Sequence, residues 1–284
     1  GVDMGPSAVR AAGLNAALKN LGHQVEDSGN IHVKLPEEQH FGEKRAKYLN
    51  EIAEACQEVA QRILQTLQEG YFPISLGGDH SMAVGTLAGV SKFYRDRGQK
   101  IGCMWIDAHA DMNIPETSPS GNVHGMPFAA SLGLGPETLT RIFGFCPKVE
   151  GRHSVLIGAR DLDKSEKRLV KESGVTVFTM REIDEQGMRA VMEKSLPICA
   201  NGTAGFAVSF DMDVMDPAEA PGVGTPVRGG ITFREAHLAL EMVADSKRML
   251  SMELVEINPI IDTMNKTAIL SVGLITSALG KKIL

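Results

Sequence analysis

The feature that most constrains this chain is a repeated alternation of short apolar runs with amphipathic helical stretches. The runs are Phe72–Leu76, Ile101–Ile106, Ser154–Ile157, Val175–Phe178, Gly205–Phe210 and Met252–Ile257. Most are continuously apolar rather than alternating, as parallel strands buried on both faces are. Between them lie helical patterns. Ile52, Cys56, Val59, Ile63 and Leu67 recur at helical spacing, and Met264, Ala268, Val272, Ile275 and Leu279 form a closing stripe. Thr232 with Glu235, and Thr179 with Glu182, predict capping boxes. Alternating β and α elements predict an α/β fold of three layers, a mostly parallel sheet with helices on both faces. A continuous pattern of this kind builds one core even at 284 residues. With no repeat, low-complexity tract or linker, the expectation is a single domain over residues 1–284.

Charge narrows the function classes. A net charge of −6 without a basic block disfavours nucleic acid and anionic membrane as partners. No run of 18 apolar residues predicts a membrane span. Cys56, Cys103, Cys146 and Cys199 are widely spaced without a C-x-x-C pair, which predicts buried, reduced thiols in a cytoplasmic protein. No signal peptide is evident, but the chain opens at Gly1-Val2-Asp3, which leaves an upstream segment open.

In parallel sheets of this kind ligands bind beyond the carboxyl ends of the strands. Three of those ends are rich in carboxylate and imidazole. They read Gly77-Gly78-Asp79-His80-Ser81, Asp107-Ala108-His109-Ala110-Asp111 and Asp211-Met212-Asp213-Val214-Met215-Asp216-Pro217. Taken singly, the first reads as a turn and the Asp-x-Asp of the third as a loop or helix cap, whereas Asp107, His109 and Asp111 at i, i+2 and i+4 put three ionisable groups on one side of a strand end and demand counter-charge. Taken together, His80, Asp107, His109, Asp111, Asp211 and Asp213 bring four negative charges and two imidazoles, which two divalent cations would balance. Sulfur-free, carboxylate-rich ligation favours Mn²⁺ over a structural Zn²⁺. Six ligands serve two ions if two aspartates bridge, at a separation of about 3.5–4 Å. Such a pair makes hydroxide available near neutral pH, which is hydrolytic chemistry.

At these residues the chain resembles the arginase/agmatinase (ureohydrolase) family, whose signatures match Gly77–Ser81, Asp107–Asp111 and Ser209–Pro217, with similarity along essentially the whole chain. The resemblance implies two Mn²⁺ ions. One would be held by His80, Asp107, Asp111 and Asp211, the other by Asp107, His109, Asp211 and Asp213, with Asp107 and Asp211 bridging. Asp111 would also orient the hydroxide. The resemblance further implies a homotrimer or homohexamer. Two departures stand out: family members usually have a first strand ahead of the Gly1–Pro6 stretch, which this chain is expected to lack, and the Ala218–Val223 loop and Arg228 are less familiar.

The same resemblance assigns a substrate. Asn113, Ser120 and Asn122 match positions that bind an α-carboxylate, and Asp163, with Glu166 nearby, matches the residue that receives an α-ammonium. Glu256, in Glu256-Ile-Asn-Pro259, matches the carboxylate that pairs with a guanidinium; Glu253 is the alternative on the same strand. Thr225 matches a residue lining the guanidinium end, and His124 a proton shuttle to the leaving amine. Read alone, Asn113, Ser120 and Asn122 would be ordinary loop residues, and His124 a histidine at a helix start satisfied by backbone. His23, His32, His40, His153 and His237 read as surface or packing residues. The expected reaction is hydrolysis of L-arginine to L-ornithine and urea. The alternatives are another ureohydrolase, acting on agmatine, guanidinobutyrate or formiminoglutamate, and a non-catalytic arginine- or ornithine-binding relative. A metal phosphoesterase is disfavoured because no phosphate cradle accompanies the metal motifs.

Overall fold

The structure, a computed structural model, describes residues 1–34 and 39–282. Its strands are β1 (Gly42–Glu43), β2 (Ala46–Lys47), β3 (Ile74–Leu76), β4 (Gly102–Ile106), β5 (Ser154–Ala159), β6 (Thr176–Thr179), β7 (Phe206–Asp211) and β8 (Met249–Val255). Its helices are α1 (Gly5–Ala11), α2 (Leu14–Asn20), α3 (Leu49–Gln68), α4 (Ala83–Arg95), α5 (Pro127–Ser131), α6 (Glu137–Thr140), α7 (Lys164–Ser173), α8 (Met180–Ala200), α9 (Phe233–Ser246) and α10 (Lys266–Ala278). Strands β1 and β2 form a small hairpin. The other six make one sheet in the order β3-β8-β7-β4-β5-β6, every neighbouring pair parallel.

Burial explains why these runs became strands. All residues of β4, β5 and β7 are buried, as continuous apolar runs in a two-sided sheet demand. Alternate residues serve opposite faces. Met104 and Ile106 join the core with Phe206, Val208, Phe210 and the α8–α10 side chains, while Cys103 and Trp105 join the core of α3, α4 and Phe128. This is the helix–sheet–helix layering read from the sequence. Both predicted capping boxes form, Thr179 with Glu182 at α8 and Thr232 with Glu235 at α9. Among the described residues no helix is long and apolar enough to cross a membrane.

Some boundaries differ from expectation. Phe72 is exposed and precedes β3, a three-residue edge strand that follows Pro73. Strand β8 starts earlier, at Met249, and stops at Val255, because Glu256 turns to φ +65°. The closing stripe is buried at Ala268, Val272 and Ile275, but Met264 is 93% exposed and lies in a left-handed turn before α10. Cys56, Cys103 and Cys199 are buried free thiols, whereas Cys146 is half-buried.

Sheet order fixes where a site can form. From β4 the chain continues to β5 and β6 on one side, whereas from β7 it continues to β8 on the other. Strands β4 and β7 are neighbours in register, Ile106 opposite Phe210, so their carboxyl ends meet where the winding direction reverses. A crevice opens at such a switch point. Asp107 and Asp211 stand on its two lips.

Candidate metal centre and substrate cleft

Each of the three charged segments is held in place by its backbone. Gly77 follows β3 where a side chain would force its neighbours to shift: a Cβ would stand 2.3 Å from Met82 Sδ and 2.6 Å from Val255 Cγ1. The Asp79 carboxylate then caps a short 3₁₀ turn by accepting from Ser81 N–H, and that turn starts at His80. Asp107 N–H donates to Ile157 O of β5, and the Asp107 carboxylate accepts from His109 N–H at 2.7 Å. Asp211 repeats the device, accepting from Asp213 N–H at 2.8 Å. These caps turn all three chain segments back over the sheet edge.

The six predicted ligands converge. His80 Nδ1 lies 3.2 Å from Asp107 Oδ2, 3.0 Å from Asp111 Oδ2 and 3.1 Å from Asp211 Oδ2. His109 Nδ1 lies 3.0 Å from Asp213 Oδ2 and 3.5 Å from Asp107 Oδ1. Two groups result, His80–Asp107–Asp211 and Asp107–His109–Asp213, each with its ligand atoms within 4.8 Å of one another. Asp107 belongs to both and turns one oxygen to each.

The electrostatics ask for positive charge. Burial opposes a charge on His80, yet Asp107, Asp111 and Asp211 outweigh it and hold the imidazole well above its usual range. Asp107 and Asp213 do the same for His109 against its own burial. Asp211 is pushed well up by burial, and then by its neighbours Asp213 and Asp107. Burial and Asp107 raise Asp111 to about 6. Four carboxylates this close repel unless cations lie between them.

One buried atom tests the fit to a metal. His80 Nε2 and Ser209 Oγ are 2.7 Å apart, and Ser209 Oγ donates to Glu253 Oε1 at 2.6 Å. With the hydroxyl proton spent on Glu253, Ser209 accepts from His80 Nε2–H, which leaves Nδ1 with a lone pair in the neutral ring. Among the described residues that buried Nδ1 has no hydrogen-bond partner, although three carboxylate oxygens surround it. Donor atoms at right angles around a hard divalent cation, at ~2.0–2.5 Å, stand ~2.8–3.5 Å apart. The observed 3.0–3.5 Å spacings match that range. The residues fit a divalent cation.

Register and stacking hold His80. Ser209 and Glu253 are opposite each other on β7 and β8, so the sheet itself aligns the relay. The His80 ring stacks on Trp105 at 4.1 Å, and Trp105 on Phe128 at 4.6 Å. Trp105 Nε1–H also donates to Asp107 Oδ2 at 2.9 Å. Two residues at the site adopt left-handed backbone, Asp111 at φ +50° and Glu256 at φ +65°. Such positions cost about 1–3 kcal/mol each and survive only where their surroundings impose them. Here Phe128 and Ala129 N–H donate to Asp111 O, and Glu256 N–H donates to Gly78 O.

A cleft of about 220 Å³ opens over the ligands, and Asp111, Asn113, His124, Asp161, Asp163, Glu166, Thr225 and Glu256 line the rest of it. Glu256 Oε1 accepts from His80 N–H at 2.9 Å and lies 3.4 Å from His124 Nδ1. That carboxylate raises His124 to about 9 against burial, so the ring holds a proton at neutral pH. Thr225 donates to Asp213 Oδ2 at 2.7 Å. Asp163 caps α7 through Ser165 and Glu166 N–H and accepts from Asn113 Nδ2 at 2.8 Å. Burial pushes Glu166 up to about 7.

Ser120 and Asn122, predicted beside Asn113, do not line the cleft. Both are exposed: Ser120 Oγ accepts from Asn122 N–H, and Asn122 Oδ1 from Lys47 Nζ. The left-handed turn at Gly121 sends this part of the loop toward the β1–β2 hairpin. Sequence reasoning missed Asp161, whose only signal was its place two residues before Asp163. It also missed the Ser209–Glu253 relay, which depends on strand register.

Residues 1–280 match the sequence profile of the Arginase family. An arginase of Brevibacillus brevis is 50% identical over 285 residues, covering all of this chain and 94% of that protein. The native structure of arginase from Bacillus caldovelox superposes with a TM-score of 0.96 at 49% identity, covering 100% of this chain and 94% of that one. An arginase of Entamoeba histolytica, solved in complex with L-ornithine, superposes with a TM-score of 0.90 at 32% identity, covering 99% of this chain and 93% of that one. Switch-point geometry, clustered ligands and these likenesses agree: the chain belongs to the arginase family and is a hydrolase.

Proposed function

We propose that this protein hydrolyses L-arginine to L-ornithine and urea with two Mn²⁺ ions. The observation that carries the reading is the pair of ligand groups sharing Asp107, with His80 Nδ1 orphaned among three carboxylate oxygens. His80, Asp107, Asp111 and Asp211 would hold one ion, and Asp107, His109, Asp211 and Asp213 the other. Four carboxylates against two divalent charges leave the set neutral. When bound, the ions supply Lewis acidity, which polarises the reacting centre and makes hydroxide available near neutral pH.

The chain's own residues do the rest. Glu256 takes the planar guanidinium and sets its carbon over the ligand groups, a geometry suited to a charge-assisted pair. Asp163, with Glu166 nearby, receives the α-ammonium. Asn113 lines the cleft and donates to the α-carboxylate, whereas Ser120 and Asn122, the other expected donors, stand outside the lining. Thr225 steadies Asp213 beside the guanidinium end. Asp111 holds the proton of the attacking water. The water oxygen adds to the guanidinium carbon, and the tetrahedral adduct then collapses with cleavage of the bond from that carbon to the substrate chain nitrogen. His124 gives its proton to the departing ornithine amine, the remaining hydroxyl proton of the adduct leaves as the C=O bond of urea forms, and the proton on Asp111 returns to His124.

A cytoplasmic location fits the reduced thiols, and assembly as a homotrimer or homohexamer accompanies the family resemblance. The test is a urea-release assay with added Mn²⁺, comparing kcat/KM for L-arginine and agmatine. Agmatine lacks the carboxylate that Asn113 would bind, so L-arginine is expected to be favoured by roughly 10⁴-fold. Equal values, or a preference for agmatine, overturn the substrate assignment. No urea from either would exclude both substrates and leave a ureohydrolase of guanidinobutyrate or formiminoglutamate, or a binding relative.

A further inference from the structure

Arg160 follows strand β5 beside the cleft and has no part in the proposed reaction. Its half-buried guanidinium meets backbone carbonyls on three chain segments. Nη1 donates to Gly158 O at 3.3 Å and Val214 O at 3.0 Å; Nη2 donates to Asp213 O at 2.7 Å, Met215 O at 3.3 Å and Val227 O at 2.8 Å. Its own N–H donates to Ala108 O at 2.8 Å. The side chain therefore ties the turn that carries Asp213 to the loop that carries Thr225, and its backbone ties both to the segment that carries His109. Close packing reinforces the junction: a Cβ on Gly158, at φ +97°, would stand 2.5 Å from Val214 Cγ2 and 3.3 Å from Asp107 O.

We propose that Arg160 is a positioning residue for the Asp107–His109–Asp213 half of the metal centre, setting the affinity of that half alone. The proposal rests on the two-ion reading of the site. Asp213 is gripped from both sides, its carbonyl by Arg160 and its Oδ2 by Thr225, and Arg160 also holds the Thr225 loop through Val227. A planar fork can span carbonyls on separate segments, which the point charge of a lysine cannot. The His80 half is supported elsewhere, by Ser209, Glu253 and the Trp105 stack, while the side-chain hydrogen bonds of Arg160 go to Gly158, Asp213, Val214, Met215 and Val227.

The experiment titrates metal-free full-length protein with Mn²⁺ alone, counting ions and affinities by calorimetry and electron paramagnetic resonance. Arg160→Lys and Arg160→Met are compared with wild type. The control is Arg248→Met, an arginine that also holds carbonyls, those of Ala200 and Thr203, but at the opposite sheet end. Wild type and Arg248→Met are expected to take two ions with the same affinities. Both Arg160 variants keep one ion unchanged and bind the second ~10–100-fold more weakly, as the loss of a supporting group around metal ligands typically does. Parallel weakening of both ions, or no change in either, overturns the proposal while leaving the two-ion reading intact. Should Arg160→Met fail to fold, Arg160→Lys decides the matter by the same titration. A wild type that takes fewer than two ions overturns both.

Discussion

The two halves of the ligand cluster share Asp107 but are built differently. His80 is 1% exposed, stacked on Trp105 and hydrogen-bonded through Ser209 to Glu253 at the bottom of the site. The His109 side chain is 25% exposed and faces the cleft, and the Asp213 beside it is steadied by loop residues, Thr225 and Arg160. One half is fixed by strand register, the other by loops. Rigid elements hold ligands more closely than loops do, whereas loops admit a substrate. The arrangement gives an inner, preorganised half and an outer half more open to the cleft.

The largest expected effect comes from breaking what the halves share. Asp107→Asn removes one negative charge and one of the two carboxylate oxygens turned toward the halves, so both halves should fail together. Manganese content and activity are expected to fall in step, the latter by ~10³ or more, since a metal centre supplies several kcal/mol of transition-state stabilisation. Retention of both ions would show that the halves do not depend on their common ligand.

His124→Asn asks whether the cleft over the two halves contains a residue that reacts without binding metal. Both ions should remain while kcat drops by ~10²-fold, the loss expected of a missing general acid. An equal loss of manganese would make His124 a ligand. A smaller and more selective effect separates the halves directly. Ser209→Ala removes the acceptor that fixes the His80 ring and should weaken the inner ion by ~10-fold, while Thr225→Val should do so at the outer ion. If either variant weakens both ions alike, the division into halves is wrong.

The difference between the halves also marks what could be read from the sequence. All six candidate ligands lie at or just beyond the ends of apolar runs, so the rule that ligands gather at carboxyl ends of parallel strands was enough to find them. The relay beneath His80 was not legible, because Ser209 and Glu253 are 44 residues apart and meet only through the register of β7 and β8. Glu253 is the sequence's alternative to Glu256; the structure gives it a different place, under His80 rather than in the cleft. Loops are less legible than strand ends. Asn113, Ser120 and Asn122 sit together in one motif, but the turn at Gly121 leaves only Asn113 in the lining. Periodicity correctly finds α10 yet includes Met264, since spacing carries no information about the left-handed residues Met264 and Asn265 that precede the first turn. Arg160 lies in the same motif as Asp163, but its significance depends on carbonyls 53 to 67 residues away.

The most direct measurement is a crystal structure of protein grown with manganese, with anomalous scattering recorded at the manganese edge. Two peaks about 3.5–4 Å apart are expected, flanking the Asp107 carboxylate, one against His80 and the other against His109. A single peak, or two that leave either imidazole unligated, would contradict the account.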